Sequence, residues 1–336
     1  MQNINSDKRS HWYEQKKPWW QLAILDILLA AVVVGIFAFF HLLMPKVILA
    51  AKGMPKPIYQ VGVAETPAPE YDTEEDSLTW RDKFSSFFTP EVVRGENYYS
   101  SPDISIQISE HKTENALAYF VADIHIADIE NFQSGFAVGN SSDSPEKVAD
   151  DNGAILAMNG DYCSNQREGF LVRNGLLYLT EQTKSDICVL YYDGVVETYG
   201  PSEYEVSEIM GKDPYQVWKF GPELLDKNGN PKTVFNTSDA IMHKHPRSGF
   251  GYYEPGHYCF VVVDGRQPGY SDGINMENFS KLFADLGCAR AFNMDGGASS
   301  SMVFDSEIVN KPSGGGRYIS DMLIIKEKEP VERQEN

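Results

Sequence analysis

The sequence predicts a strand-rich domain of mixed α+β and α/β class, with a mixed sheet and few helices, preceded by one transmembrane helix. Three features lead there. An unbroken apolar run lies near the amino terminus, alternating and β-branched runs recur from about residue 100 onward, and one strand–helix–strand pattern stands between Tyr258 and Met302.

The first feature is LAILDILLAAVVVGIFAFFHLL, residues 22–43, in which only Asp26 and His41 are ionisable. A helix of that length crosses a hydrocarbon core of roughly 30 Å, whereas a cleaved signal peptide has an apolar core of about 7–15 residues. Trp19 and Trp20 precede the run, where indole rings favour the membrane interface. Lys8, Arg9, Lys16 and Lys17 lie before it and Lys46, Lys52 and Lys56 after it, a weak positive-inside bias. The expected organisation is a basic cytoplasmic tail (1–21), a signal anchor (22–43), a proline-rich acidic stalk (44–77), one domain (78–326) and a disordered charged tail (327–336). The expected location is the plasma membrane, single-pass, with the large domain extracytoplasmic.

Residues 1–44 carry four basic and three acidic side chains, a net +1, so the rest holds −20 of the chain's −19 total. Such a surface repels nucleic acid, and no nucleic-acid partner is expected. All four cysteines, Cys163, Cys188, Cys259 and Cys288, follow the span. One or two disulfides or buried free thiols are both compatible with that placement, and Cys259 and Cys288 fall in two apolar runs that read as neighbouring strands.

Within the domain, Trp80, Phe84, Phe87 and Phe88 have helical spacing and suggest a short amphipathic helix. DISIQIS (103–109) and LAYFVADIHIAD (117–128) read as strands, RNG (173–175) as a hairpin turn and DMLII as the last strand. Phe279, Leu282, Phe283 and Leu286 fall at i, i+3, i+4 and i+7, with Asp272 or Asn275 as N-cap and Gly287 as stop. If the strands flanking that helix are parallel neighbours, Asp264 and Asp295 finish at one sheet edge, where open α/β sheets bind ligands.

The candidate chemistry clusters around those strand ends. Gly265, Gly296 and Gly297 allow close approach to a substrate, and Ser299, Ser300 and Ser301 supply hydroxyls. Arg247 in HPRSGFG and Arg266 in VVVDGR suit a phosphate, with Arg317 a weaker candidate. Asn159, Gly160 and Asp161 follow the apolar run AILAM. His243, His245 and His257 lack a zinc-site spacing, and neither a serine-hydrolase elbow, a Walker loop nor a dinucleotide fingerprint is present.

Taken in order, NGDY (159–162), FGPELLDKNG (220–229), HPRSGFG (245–251), VVVDGRQPGYSDG and FNMDGGASSSM resemble the phosphodiester glycosidase family over roughly residues 100–326. Ala298 stands where a third glycine is common, and Asp161-Tyr162 where many members have Gly or Phe. The resemblance implies cleavage of an α-linked N-acetylglucosamine from a phosphodiester, without a cofactor. The roles expected are Asp295 at the anomeric centre, Asp264 as its partner or an orienting group, and Arg247 and Arg266 on the phosphate. Asn159, Asp161 and Asn293 would bind sugar hydroxyls, with Gly160, Ser271, Gly296, Gly297 and Ser299 completing the substrate site. Retention needs carboxylates about 5 Å apart and inversion roughly 6.5–9.5 Å, so the stereochemistry stays open. The expected partners are a glycan or glycosyl phosphodiester and, through residues 22–43, the membrane. Two other readings use the same residues: a divalent-cation phosphodiesterase with Asp264 and Asp295 as ligands, and a non-catalytic glycan-binding module.

Overall fold

The computed structural model describes residues 59–61, 78–139, 141–166 and 168–328. The expected cytoplasmic tail, the span at 22–43, most of the stalk and residues 329–336 lie outside the described residues. Among the described residues, no helix is long and apolar enough to cross a membrane.

A seven-stranded sheet carries the functional edge. Its strands, numbered here in chain order, are β1 (Val93–Gly95), β2 (Tyr98–Ser100), β3 (Ile104–Thr113), β4 (Leu117–Ile126), β5 (Arg247–Glu254), β6 (His257–Val263) and β7 (Arg290–Asn293). They lie in the order β7-β5-β6-β4-β3-β2-β1. The apolar run of β6 is buried throughout because both faces are covered. Tyr258, Phe260 and Val262 enter the main core, while Cys259, Val261 and Val263 pack with Phe279 and Phe283. Those two phenylalanines belong to α1 (Met276–Asp285), which Asn275 caps through its side chain and which ends at Leu286 before left-handed Gly287.

One expectation about this unit is corrected. β6 and β7 are parallel to each other but are not neighbours, because β5 lies between them and pairs antiparallel with both. Every ladder recorded among the described residues is antiparallel, so the expected mixed sheet is replaced by antiparallel ones. The reason is the tight β5–β6 hairpin, which inserts a strand before the helical crossover begins.

A five-stranded sheet contains Leu156–Asn159 between Met302–Phe304 and Asp321–Ile325. A six-stranded sheet contains the hairpin Phe170–Arg173/Leu176–Thr180, whose turn places Asn174 and Gly175 at positive φ as the RNG reading required. The three sheets meet on aromatic rings: Phe132 contacts Trp218, Phe250, Tyr258 and Phe260 edge-on. The segment expected to be stalk contributes a strand, since Tyr59–Gln60 pair with Leu176–Leu177 and Val61 is buried. The helix expected near residue 80 is a single turn, Trp80–Lys83, and Phe84 is the aromatic it delivers to the interior. At the other end Glu327 accepts from the Tyr99 hydroxyl at 2.7 Å, so ordered chain runs past residue 326.

Gly251 of β5 sits where Cys259 and Cys288 approach over its backbone. Their sulfurs are 3.7 Å apart, all four cysteines are buried thiols, and a Cβ on Gly251 would lie 2.5 and 2.8 Å from the two Sγ atoms. Gly251→Ala is therefore expected to lower stability by about 1–3 kcal/mol in denaturant melts; an unchanged midpoint would contradict this packing.

Candidate active site

The β5 register sets the site. Arg247 opens β5 opposite Val263, the last residue of β6, while Gly249 faces Asn293, the last residue of β7. The chain leaving β6 at Asp264, the chain leaving β7 at Asp295 and the start of β5 therefore share one sheet edge. A cavity of about 480 Å³ opens there, lined among others by Phe220, His245, Arg247, Arg266, Asn293, Asp295 and Arg317.

Asp295 is the carboxylate this cavity receives. Its Oδ1 accepts from the Gly296 N–H at 2.9 Å, and its Oδ2 accepts from the Ser299 hydroxyl at 2.7 Å and Arg317 Nη2 at 2.6 Å. Arg317 also donates to the Ser299 hydroxyl and lies over the Tyr162 ring, 5.7 Å from its centroid. Sequence reasoning ranked Arg317 low because it follows a triple-glycine loop with no periodic context; only the fold brings it to Asp295.

The cations around Asp295 are unevenly compensated. Arg247 is buried, and it donates through Nε to the Ile274 carbonyl and through Nη2 to those of Ile241 and His243. No acidic side chain pairs with it among the described residues, and burial pulls its pKa down to about 10, so it stays charged at neutral pH. Three carbonyls fix half of the guanidinium, and Nη1 has no hydrogen-bond partner among the described residues. Arg266 adopts φ +58°, donates to His245 Nδ1 at 3.2 Å and runs beside Gly297, where a Cβ would sit 3.2 Å from it.

Asn293 also lines the cavity. Its Nδ2 donates to the carbonyls of Gly221 and Met294, which fixes the amide orientation and leaves buried Oδ1 as an acceptor without a donor among the described residues.

Other expected site residues make scaffold contacts. Asp264 accepts from Asn310 Nδ2 (2.7 Å), the Lys311 N–H (2.9 Å) and the Tyr270 hydroxyl (2.9 Å), so it fastens the 310–311 segment. Burial pushes its carboxyl upward, and these donors partly offset that. Both oxygens are engaged and the residue is not among those lining the cavity. Ser271 donates to the Asp264 carbonyl and accepts from the Ala118 N–H, which closes the turn after β6. Asn159 is buried and joins Ser248, Ser301 and the Asp295 carbonyl, so it positions Asp295. Asp161 is buried in an ion pair with Arg173 at 2.7 Å and accepts from the Lys219 N–H. Gly160 is required by Asp321, whose Oδ2 a Cβ would approach to 2.0 Å. Gly296 passes under Pro246, where a Cβ would meet the carbonyl at 3.0 Å.

Residues 152–326 match the phosphodiester glycosidase family over more than half of the chain. The chain belongs to the phosphodiester glycosidase family. A relative in Bacillus subtilis, the SPbeta prophage-derived uncharacterized protein YomE, is 28% identical over 249 residues, 72% of this chain and 38% of YomE. The chain thus spans well under half of that relative's length. Among solved structures, the catalytic domain of zebrafish N-acetylglucosamine-1-phosphodiester α-N-acetylglucosaminidase superposes with a TM-score of 0.55 at 19% identity. The match covers 71% of this chain and 88% of the zebrafish domain and establishes a shared fold.

In this phosphodiester glycosidase the NGDY segment rests on a buried ionic cluster. Burial acts to raise the Asp161 carboxyl, but Arg173 and the Lys219 N–H outweigh it and hold it low. Burial and then Asp161 push Asp321 up to about 7, while its oxygens accept from the N–H groups of Asp161 and Cys163. An unfolded aspartate ionises near ~3.9, so the fold holds Asp321 neutral over an interval where the unfolded chain releases its proton. That contribution is complete below about pH 4 and is lost as pH rises toward 7. The Asp321→Asn variant, which cannot titrate but gives up one of the two accepted N–H bonds, is expected to lose less melting temperature between pH 5 and pH 7.5 than the parent; an equal loss would refute the assignment.

Proposed function

We propose that the chain is a glycosidase that hydrolyses the bond between the anomeric carbon of a sugar, an α-N-acetylglucosaminyl unit, and a phosphodiester oxygen. The observation that carries this reading is Arg247: a buried cation with no acidic partner among the described residues, lining the same cavity as Asp295. A buried unpaired charge is costly, and an anionic ligand relieves that cost. Arg266 and His245 line the same cavity and widen the anion site.

The chemistry follows from the leaving group. A phosphomonoester departs as a stable anion, so it needs electrostatic stabilisation more than a proton donor. Asp295 is the one carboxylate lining the cavity among the described residues, which fits a reaction with little demand for a general acid. Ser299 and Arg317 hold Oδ2 of Asp295, and its carboxylate faces the anomeric carbon as nucleophile or as base for water. The acceptor Oδ1 of Asn293 takes a hydroxyl or acetamido N–H of the sugar, and Phe220 and Ile241 offer apolar surface to the ring. The apolar run at 22–43 supports a place on the outer side of the plasma membrane and a cell-envelope glycan as substrate.

The test uses the full chain with a simple α-N-acetylglucosaminyl phosphodiester, following sugar release with and without EDTA. Asp295→Asn is expected to lower kcat at least a hundredfold. Arg266→Ala is expected to raise KM about tenfold for the charged substrate and much less for a neutral aryl glycoside. Turnover by Asp295→Asn within tenfold of the parent would overturn the catalytic assignment.

A further inference from the structure

At the far end of the central sheet, we propose that Asp123, His125 and His257 form a binding site for a divalent transition-metal ion of the zinc class. Asp123 and His125 are two residues apart on β4, so their side chains leave the same face of the sheet. His257 of β6 stands directly opposite His125 in the register. This i, i+2 pair with a cross-strand neighbour presents two imidazoles and one carboxylate on a single face, the set that divalent zinc and its neighbours accept while keeping open positions. The intervening Ile124 and neighbouring Tyr258 point the other way into the main core, so Asp123, His125 and His257 share the opposite face, with Cys259 beside Asp123 in the register.

The donor atoms are already gathered: one from each residue lies within 4.8 Å of the others. His257 Nε2 is 2.8 Å from Asp123 Oδ1, and His125 Nδ1 is 3.7 Å from Asp123 Oδ2. Bonds of roughly 2.0–2.2 Å place tetrahedral ligands about 3.3 Å apart, so the cluster contracts by at most about 1.5 Å on binding. The imidazole rings stack at 4.0 Å with 16° between their planes, and they splay by side-chain rotation to bring both nitrogens onto one ion. Phe87 stacks on the outer face of His125 and Tyr253 on that of His257, an aromatic wall that excludes water from two sides. Glu254, paired in register with His257 and bonded to Lys83, adds negative charge at the rim.

The site is separate from the cavity. From His257 to Val263 the strand rises roughly 20 Å, so an ion here braces the β4–β6 pairing and takes no part in chemistry at Asp295. His243 and His245 lie at the opposite end of β5, which explains why the histidine spacing in the sequence showed no ligand set.

The probes are Co(II) and Zn(II), added to the full chain freed of metal with EDTA. Expected are tetrahedral Co(II) d–d absorption that saturates at one ion per chain and is erased by Zn(II) but not by Mg(II), and a melting temperature raised by about 5 °C at Zn(II) a hundredfold above its Kd. Asp123→Ala and His257→Ala change partly exposed side chains, and each should weaken Zn(II) at least tenfold while circular dichroism stays native. Absence of saturable binding, or equal affinity in both variants, would overturn the site and leave the cluster as a carboxylate–histidine hydrogen bond within a ring stack. Sugar release that is indifferent to EDTA is compatible with either result, so this test stands apart from that of Asp295.

Discussion

The buried carboxamide of Asn159 ties the site to two sheets at once. Its Nδ2 donates to the Asp295 carbonyl at 2.7 Å, and its Oδ1 accepts from Ser248 of β5 and from the Ser301 N–H. Asn159 ends a strand of the five-stranded sheet, whereas Ser248 belongs to β5 of the seven-stranded one and Asp295 to the loop that leaves β7. A buried amide with both ends satisfied is directional, so it fixes the height of the Asp295 loop above β5. The Asp295 N–H returns to the Gly160 carbonyl, and the Gly160 N–H to that of Asp321, extending the link into the Asp161–Arg173 ion pair. The carboxylate proposed for catalysis is thus held by backbone on one side and by Ser299 and Arg317 on the other.

With Asp295 fixed, the interposed strand determines its electrostatic surroundings. Because β5 lies between β6 and β7, its first residue, Arg247, is carried to the edge where both neighbours end. Backbone carbonyls orient the guanidinium without neutralising it, so the positive charge remains available to an anion. Asp264 occupies the corresponding place on β6 and is spent on the 310–311 segment, which in turn leads to the glycine loop that delivers Arg317. Two aspartates that look equivalent as Asp-Gly turns therefore have different surroundings, one hydrogen-bonded to the 310–311 segment and one facing the cavity.

Much of this was legible in the sequence. The hairpin at Asn174-Gly175, the β3 and β4 strands, the Asn275-capped helix and the Asp295 turn followed from periodicity and turn chemistry, which are local properties. The failures share a cause. Strand neighbourhood is not local: nothing in the run from Tyr258 to Met302 says that β5 intervenes, so the flanking strands were weighed as parallel neighbours, although Asp264 and Asp295 do follow strands that end at one sheet edge. Polar residues at strand ends, such as Asn159 and Asp161, look alike whether they face solvent or a buried network, and only packing distinguishes them. Arg317 and Arg173 depend on contacts 22 and 12 residues away and leave no periodic signal.

The central claim is that the bond broken is the one between the anomeric carbon and oxygen. It is tested most directly by running the hydrolysis in oxygen-18 water and locating the label by mass spectrometry. The account requires the heavy oxygen in the released sugar and none in the phosphomonoester. Label in the phosphate would mean attack at phosphorus, and Asp295 would not be the residue that faces the anomeric carbon.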